Sequence, residues 1–279
     1  MTSSPVIPDD ARVGRTALTV SDLAGTIDFY RDVVGLSVRT RDPETATLGA
    51  GETPLLVLTR DESASPRDRD RAGLFHNAFK VPSRAALGAA LERIRARWRL
   101  DGASDHHVSE ALYLTDPEGN GVEVYADRPR TEWPRADDGS VRIGTAPLDL
   151  EDVAAASDGA ARTPPGTTVG HVHLETSSIE AARAFYVDAL GLRVRVEGGS
   201  ALFLAAGDYH HHLGVNGWND RSRPAGGRGI AWYEFVVPDG DALETVRRRL
   251  EDASVSVEDR ADGLEIRDPD EIPVRIRAA

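Results

Sequence analysis

The sequence predicts an α+β fold made of four similar modules, each reading strand, helix, strand, strand, strand. Two observations carry this. The first is an internal repeat: Val13-Gly14-Arg15-Thr16-Ala17-Leu18 returns as Val169-Gly170-His171-Val172-His173-Leu174, and Phe29-Tyr30-Arg31-Asp32 as Phe185-Tyr186-Val187-Asp188. The spacing of 156 residues also carries Gly35-Leu36, Gly51, Val81-Pro82 and Leu87 onto their counterparts, and shortens by four where Asp116-Pro117 matches Asp268-Pro269. The second is a change of apolar period inside each copy, from two to between three and four and back, which is the signature of strands flanking a helix.

The first module opens with a strand over 16–20, capped at Ser21 or Asp22 before a helix that places Leu23, Ile27, Tyr30 and Val34 on one face. Gly35 stops that helix, and short apolar runs at 36–39, 46–48 and 55–58 supply three strands. The second module starts at Leu74, with a strand to Val81 and a helix over 83–99 that puts Leu87, Leu91, Ile94 and Trp98 inside. Its last strands, 109–114 and 122–125, flank Asp116-Pro117-Glu118-Gly119-Asn120-Gly121, a hairpin signal because Asn-Gly tolerates positive φ. A third module covers 169–218 and a fourth 230–276. Modules 1 and 2 make an N-terminal domain over 12–126, and modules 3 and 4 a C-terminal domain over 168–279. The Pro- and Gly-rich stretch 127–167 joins them, with one short helix near 149–156.

Composition narrows the functional classes. A net charge of −13 argues against nucleic acid and anionic membrane as partners. No apolar run approaches the roughly 20 residues of a membrane span, and 1–10 lacks a basic-then-apolar leader, so a cytoplasmic location is expected. With no cysteine, disulfides, thiolate zinc sites and cysteine nucleophiles are excluded. The chain is built as a repeat, yet all eight histidines lie between 76 and 212. A residue type confined to part of a duplicated fold has a local task, and here it is the commonest transition-metal ligand.

Four such modules, with an aromatic pair in the helix of modules 1 and 3, resemble the vicinal oxygen chelate superfamily of glyoxalases, bleomycin resistance proteins and extradiol dioxygenases. The resemblance spans nearly the whole chain. It implies two cup-shaped domains, each formed by two modules, with a metal on the floor of a cup. Strand alternation places His171 and His173 on the cup face of module 3, His76 on that of module 2, and Glu123 with Tyr125 on the last strand of module 2. In metal-dependent relatives a first-strand His from each paired module and a last-strand Glu hold the metal, which implies His76, His171 and Glu123. Such a 2-His-1-carboxylate set suits Fe(II), with Mn(II) second. Arg15, Trp232 and Arg275 occupy the duplicate positions and cannot ligate. Modules 2 and 3 are therefore expected to pair across the linker, and modules 1 and 4 to form a cup without ligands.

The stretches 102–114, 120–125 and 209–216 are similar to the two-domain catechol 2,3-dioxygenase-like branch. That branch implies ring cleavage of a catechol-like small molecule by O2. With Leu213 and Val215 facing the helix, His210, His212 and Asn216 are expected in the cup and His211 on the other face. His212 is the first candidate for acid–base catalyst and His210 the second. Tyr113, ten residues before Glu123, stands at the spacing of the substrate-binding tyrosine, and His106, His107, His173 and Tyr125 add further substrate contacts. Two alternatives share the cup: a glyoxalase-type lyase or isomerase using Zn or Ni, and a metal-free small-molecule binding protein. Homo-oligomerisation is left open.

Overall fold

The computed structural model describes residues 7–137 and 139–279. Module 1 is β1 (Arg12–Val20), α1 (Leu23–Phe29), β2 (Ser37–Arg41), β3 (Thr45–Ala50) and β4 (Thr53–Arg60). Module 2 is β5 (Gly73–Val81), α2 (Arg84–Arg97), β6 (Gly102–Asp105), β7 (Ser109–Thr115) and β8 (Gly121–Asp127). After the short linker helix α3 (Leu150–Ala155), module 3 comprises β9 (Thr168–Glu175), α4 (Ile179–Arg183), β10 (Arg193–Gly198), β11 (Ala201–Ala205) and β12 (Leu213–Asn216). Module 4 is β13 (Gly229–Val237), α5 (Gly240–Asp252), β14 (Glu258–Arg260), β15 (Gly263–Arg267) and β16 (Pro273–Ala278).

Local chemistry sets the element ends. Asp22, not Ser21, caps α1, its carboxylate accepting from the Gly25 amide at 3.0 Å, while Ser83 and Asp239 cap α2 and α5 in the same way. The first helix of each half widens into a π turn, Tyr30–Val34 and Ala184–Ala189, and Gly35 ends the first of them at φ +98°. Leu23, Ile27, Tyr30 and Val34 are buried as the period requires. Trp98 departs from expectation. It sits at the helix end, 40% exposed, where its indole N–H donates to the Thr115 carbonyl at 2.9 Å. In the β7–β8 hairpin the left-handed residue is Gly119, at φ +88°, and neither Asn120 nor Gly121 has positive φ.

The strands form two eight-stranded curled sheets, in the orders β14-β15-β16-β13-β1-β4-β3-β2 and β10-β11-β12-β9-β5-β8-β7-β6. One sheet joins modules 1 and 4, and the other joins modules 2 and 3. Each half of the sequence, 12–126 and 168–279, is thus divided between the sheets. Within a half, the modules are tied by a buried tyrosine–aspartate bond that recurs with the repeat: Tyr30 donates to Asp116 at 3.1 Å, and Tyr186 to Asp268 at 2.6 Å. Between sheets, Asn77 of β5 donates to Thr16 of β1 at 2.7 Å, both fully buried. One continuous apolar core runs through both. Among the described residues no helix is long and apolar enough to cross a membrane.

Residues 127–167 are not a free tether. Trp133, Val141 and Val153 are buried. Asp105 and Ala146 exchange two backbone hydrogen bonds of 2.9 Å, which lay this segment along the edge strand β6.

Candidate metal centre

The seam between modules 2 and 3 is the antiparallel pair β5–β9, flanked by the parallel neighbour β8. Register sets Ala78 opposite His171 on one side and Glu123 on the other, and His76 opposite His173. A bulge between Leu74 and His76 turns both Phe75 and His76 towards the cup. Ala78 is small enough to leave the floor open between the three side chains.

His76 Nε2, His171 Nε2 and Glu123 Oε2 form a nearly equilateral triangle: the imidazole nitrogens are 3.1 Å apart, and lie 3.0 and 3.1 Å from the carboxylate oxygen. All three side chains are buried. Among the described residues this is the one place where three ligating side chains converge. Protons alone cannot satisfy the arrangement. If both imidazoles donate to Glu123, their N–H groups oppose each other, and if one does not, a bare nitrogen meets the carboxylate. A central cation uses all three lone pairs. Three cis ligands about 2.1 Å from one ion would stand about 3.0 Å apart in an octahedral site, against about 3.4 Å in a tetrahedral one, so the triangle fits the face of an octahedron. The residues therefore fit a divalent metal. Burial pushes the Glu123 carboxyl up, but the two imidazoles outweigh this and hold it well below the usual carboxylate range. Burial drives His171 down to about 4 against the pull of Glu123, leaving it a neutral ligand.

The triangle opens into a cavity of about 450 Å3. Of the sequence-predicted residues, His106, Tyr113 and His173 line it together with His76, Glu123 and His171. Tyr113 lies opposite Glu123 in the β7–β8 register. His106 Nδ1 meets the Gly144 carbonyl at 2.7 Å, and its Nε2 meets the Tyr113 hydroxyl at 2.7 Å. The carbonyl only accepts, so Nδ1 carries the proton and Nε2 accepts from Tyr113. Linker, histidine and tyrosine are thereby fixed as one unit.

Five expected residues stand elsewhere, His210 among them. Tyr125 lies beneath His171, fully buried, with its hydroxyl on that of Tyr209 at 2.8 Å. His107 points outward, its side chain 49% exposed and its backbone at φ +66°. Asn216 is buried outside the cavity and accepts from the Trp218 amide at 3.1 Å. His212 faces a separate cleft, with Tyr209, Lys80 and Arg130, and its Nδ1 accepts from the Ala206 amide. The residue in the cup is His211, whose ring is 4.1 Å from that of His171. β12 begins only at Leu213, so residues 206–212 form a turn in which strand alternation has no meaning.

His210 does not line the cavity but orients His211. Its Nε2 is 3.0 Å from Asp127 Oδ1, and its Nδ1 is 2.8 Å from His211 Nδ1. A carboxylate only accepts, so neutral His210 donates through Nε2 and receives from His211 Nδ1–H. That leaves His211 Nε2 without a proton. Burial lowers the basicity of both rings, and of His211 strongly, consistent with neutral imidazoles. Asp127 is held in turn by Lys80 at 3.3 Å and Tyr209 at 3.1 Å. Sequence reading missed Asp127, along with the cavity residues Phe75, Val196, Phe203 and Trp218 and the linker residues 143–145. An aromatic residue directly after a strand, Trp218 behind β12, was the one signal available.

Among the described residues the second cup contains no ligand set. Arg275 stacks on Trp232 at 3.9 Å. Glu234, at the place of Ala78, fills the floor and pairs with Arg15 at 2.7 Å and Arg277 at 3.2 Å.

The model of the Glyoxalase/Bleomycin resistance protein/Dioxygenase superfamily matches residues 12–124 and 168–276. The chain is 38% identical to the catechol-2,3-dioxygenase of Bacillus subtilis (strain 168) over 272 residues, 94% of this chain and 95% of that protein. Among solved structures, a putative dioxygenase from Bacillus subtilis subsp. subtilis str. 168 superposes with a TM-score of 0.62 at 15% identity, covering 99% of this chain and 86% of that one. Glyoxalase I from Zea mays gives 0.60 at 17%, covering 96% and 92%. At these identities the structural likenesses speak for the fold alone. Repeat, crossed sheets and family match agree: the chain belongs to the glyoxalase/bleomycin resistance protein/dioxygenase superfamily.

Proposed function

We propose that the protein is a metal-dependent extradiol-type dioxygenase that opens a catechol-like ring with O2, with Fe(II) as its metal. The observation that carries this reading is the 3.0–3.1 Å triangle of His76, His171 and Glu123 at the floor of the cavity, beside His211, whose hydrogen bonds leave its Nε2 without a proton. The 38% identity to a catechol-2,3-dioxygenase supports it. Bound there with coordination positions to spare, Fe(II) would bring substrate and O2 together and relay electrons between them.

The protein's own residues do the rest. His211 Nε2 accepts a proton from a substrate hydroxyl, and the His210–Asp127 chain keeps that nitrogen bare and aimed at the cup. Tyr113, tied to His106, presents its oxygen lone pairs to the substrate's second oxygen, while burial keeps its own hydroxyl protonated. His173, driven neutral by burial, has a buried Nε2 without a partner and offers one more contact. Both oxygen atoms enter the ring-opened product, so no external reductant is needed. Glu123 is the sole carboxylate lining the cavity among the described residues, whereas lyase chemistry in this cup usually draws on a second one.

Metal analysis of untagged protein purified without oxygen, followed by oxygen uptake with a panel of catechols, tests this. About one iron per chain and stoichiometric uptake are expected. Zinc or nickel with thioester formation from methylglyoxal and a thiol would sink the proposal. His76→Ala and His171→Ala should each cut retained metal at least tenfold without loss of fold by circular dichroism.

A further inference from the structure

Resting on the dioxygenase reading, we propose that the cup selects catechols bearing a neutral, apolar substituent and rejects those bearing a carboxylate. The cavity walls beyond the metal-binding triangle are built from Phe75, Val196, Phe203 and Trp218 on one side, with Val108 and Ile143 on the other. Trp218 stands at the mouth, 49% exposed, with its ring 5.4 Å from Phe75 and 5.3 Å from His173. An exposed tryptophan braced edge-on by Phe75 and at a tilt by His173 is an apolar platform for whatever projects from the bound ring. The volume of about 450 Å3 lies within the range of about 300–1,000 Å3 found for small-molecule pockets, which leaves space beyond a single ring.

What the cavity lacks is as informative. The chain has 33 lysines and arginines, yet none lines this cavity. The nearby cations are occupied on other faces. Arg67 and Arg221 clamp the buried Glu175 at 2.8 and 2.7 Å, and Arg128 is held by Asp105 and Glu110. Lys80 and Arg130 lie over the Tyr209 ring and line a separate cleft. The remaining polar groups near the walls are Ser104, Ser109 and Thr145. A carboxylate on the substituent would lose its water against these apolar walls without gaining a lysine or arginine partner, inside a chain of net charge −13. An alkyl or aryl substituent would gain contacts with the same walls.

The test compares catechol, 4-methylcatechol and 2,3-dihydroxybiphenyl with 3,4-dihydroxybenzoate and 3,4-dihydroxyphenylacetate on the iron-loaded enzyme. Oxygen uptake is paired with calorimetric binding under anaerobic conditions. The carboxylated compounds are expected to fall at least a hundredfold below 4-methylcatechol in kcat/KM, with a matching loss of binding. Trp218→Ala should raise KM for the apolar-substituted catechols about tenfold while retaining metal, and Val196→Arg should narrow the gap to the carboxylated ones at least tenfold. Equal kcat/KM for charged and apolar substituents overturns the selectivity and leaves the dioxygenase reading intact. Failure of every catechol to bind or to consume oxygen overturns both.

Discussion

His211 and His212 are adjacent in the chain but line different clefts, and they make the sharpest residue-level contrast. His211 lies beside His171 in the cup, and His212 is turned to the separate cleft of Tyr209 and Lys80. Loss of a positioned general base costs about 10²–10⁴ in rate. His211→Ala should therefore lower kcat by about that factor while keeping metal, and His212→Ala should leave kcat within about threefold. Steady-state oxygen uptake on protein of known iron content decides between them, and the opposite order would return the acid–base role to His212. His171 and Glu123 were legible in sequence because period two fixes the face of a strand residue, whereas His76 follows the bulge in β5, and the family resemblance singled out the three as a set. The base was not, because the chain from 206 to 212 leaves the strand geometry. Asp127 was invisible for another reason: its partner His210 is 83 positions away, and no periodicity encodes that distance.

At the scale of elements, the hairpin between β7 and β8 contributes more than a turn. A Cβ on Gly121 would stand 2.0 Å from the Phe75 carbonyl oxygen, so glycine is required there by the close approach of β8 to the bulge in β5. Gly121→Ala should part the strands that carry Glu123 and His76. We expect a loss of about 1–3 kcal/mol in urea unfolding and weaker metal retention on dialysis. Unchanged metal retention would show that the bulge does not position His76. The sequence marked this hairpin, but assigned the Gly to backbone dihedrals when proximity is what demands it.

The matching hairpin of module 4 makes a prediction about pH. Burial raises the Asp268 carboxyl to about 7, opposed by the Tyr186 hydroxyl and two backbone amides. The folded state therefore holds a proton that the unfolded state has released. Stability is greatest below about pH 4 on this account, falls as pH rises to about 7, and is flat above. The contribution is on the order of a few kcal/mol. Asp268→Asn should abolish that part of the slope in urea melts between pH 5 and 8. A slope identical to that of the parent would show that the aspartate is ionised in the fold.

Across the whole molecule, duplication produced two cups and kept chemistry in one. The second cup replaces a floor alanine with Glu234 and the ligand positions with Arg15, Trp232 and Arg275. Glu234→Ala should strand Arg15 and Arg277 and cost about 2–4 kcal/mol by chemical denaturation. Iron content should stay near one per chain. A fall in bound iron would mean that the second cup also takes metal.

Which modules share a sheet followed only with the family resemblance, while the sequence by itself determined the four modules, their order and the restriction of histidine to modules 2 and 3. These properties are periodic or compositional, and periodicity survives in one dimension. Only the tertiary structure decided which histidine enters the cup, that the linker is part of its wall, and that no lysine or arginine lines it. Those depend on where irregular segments cross the ends of strands, and that is set by packing against elements distant in the chain.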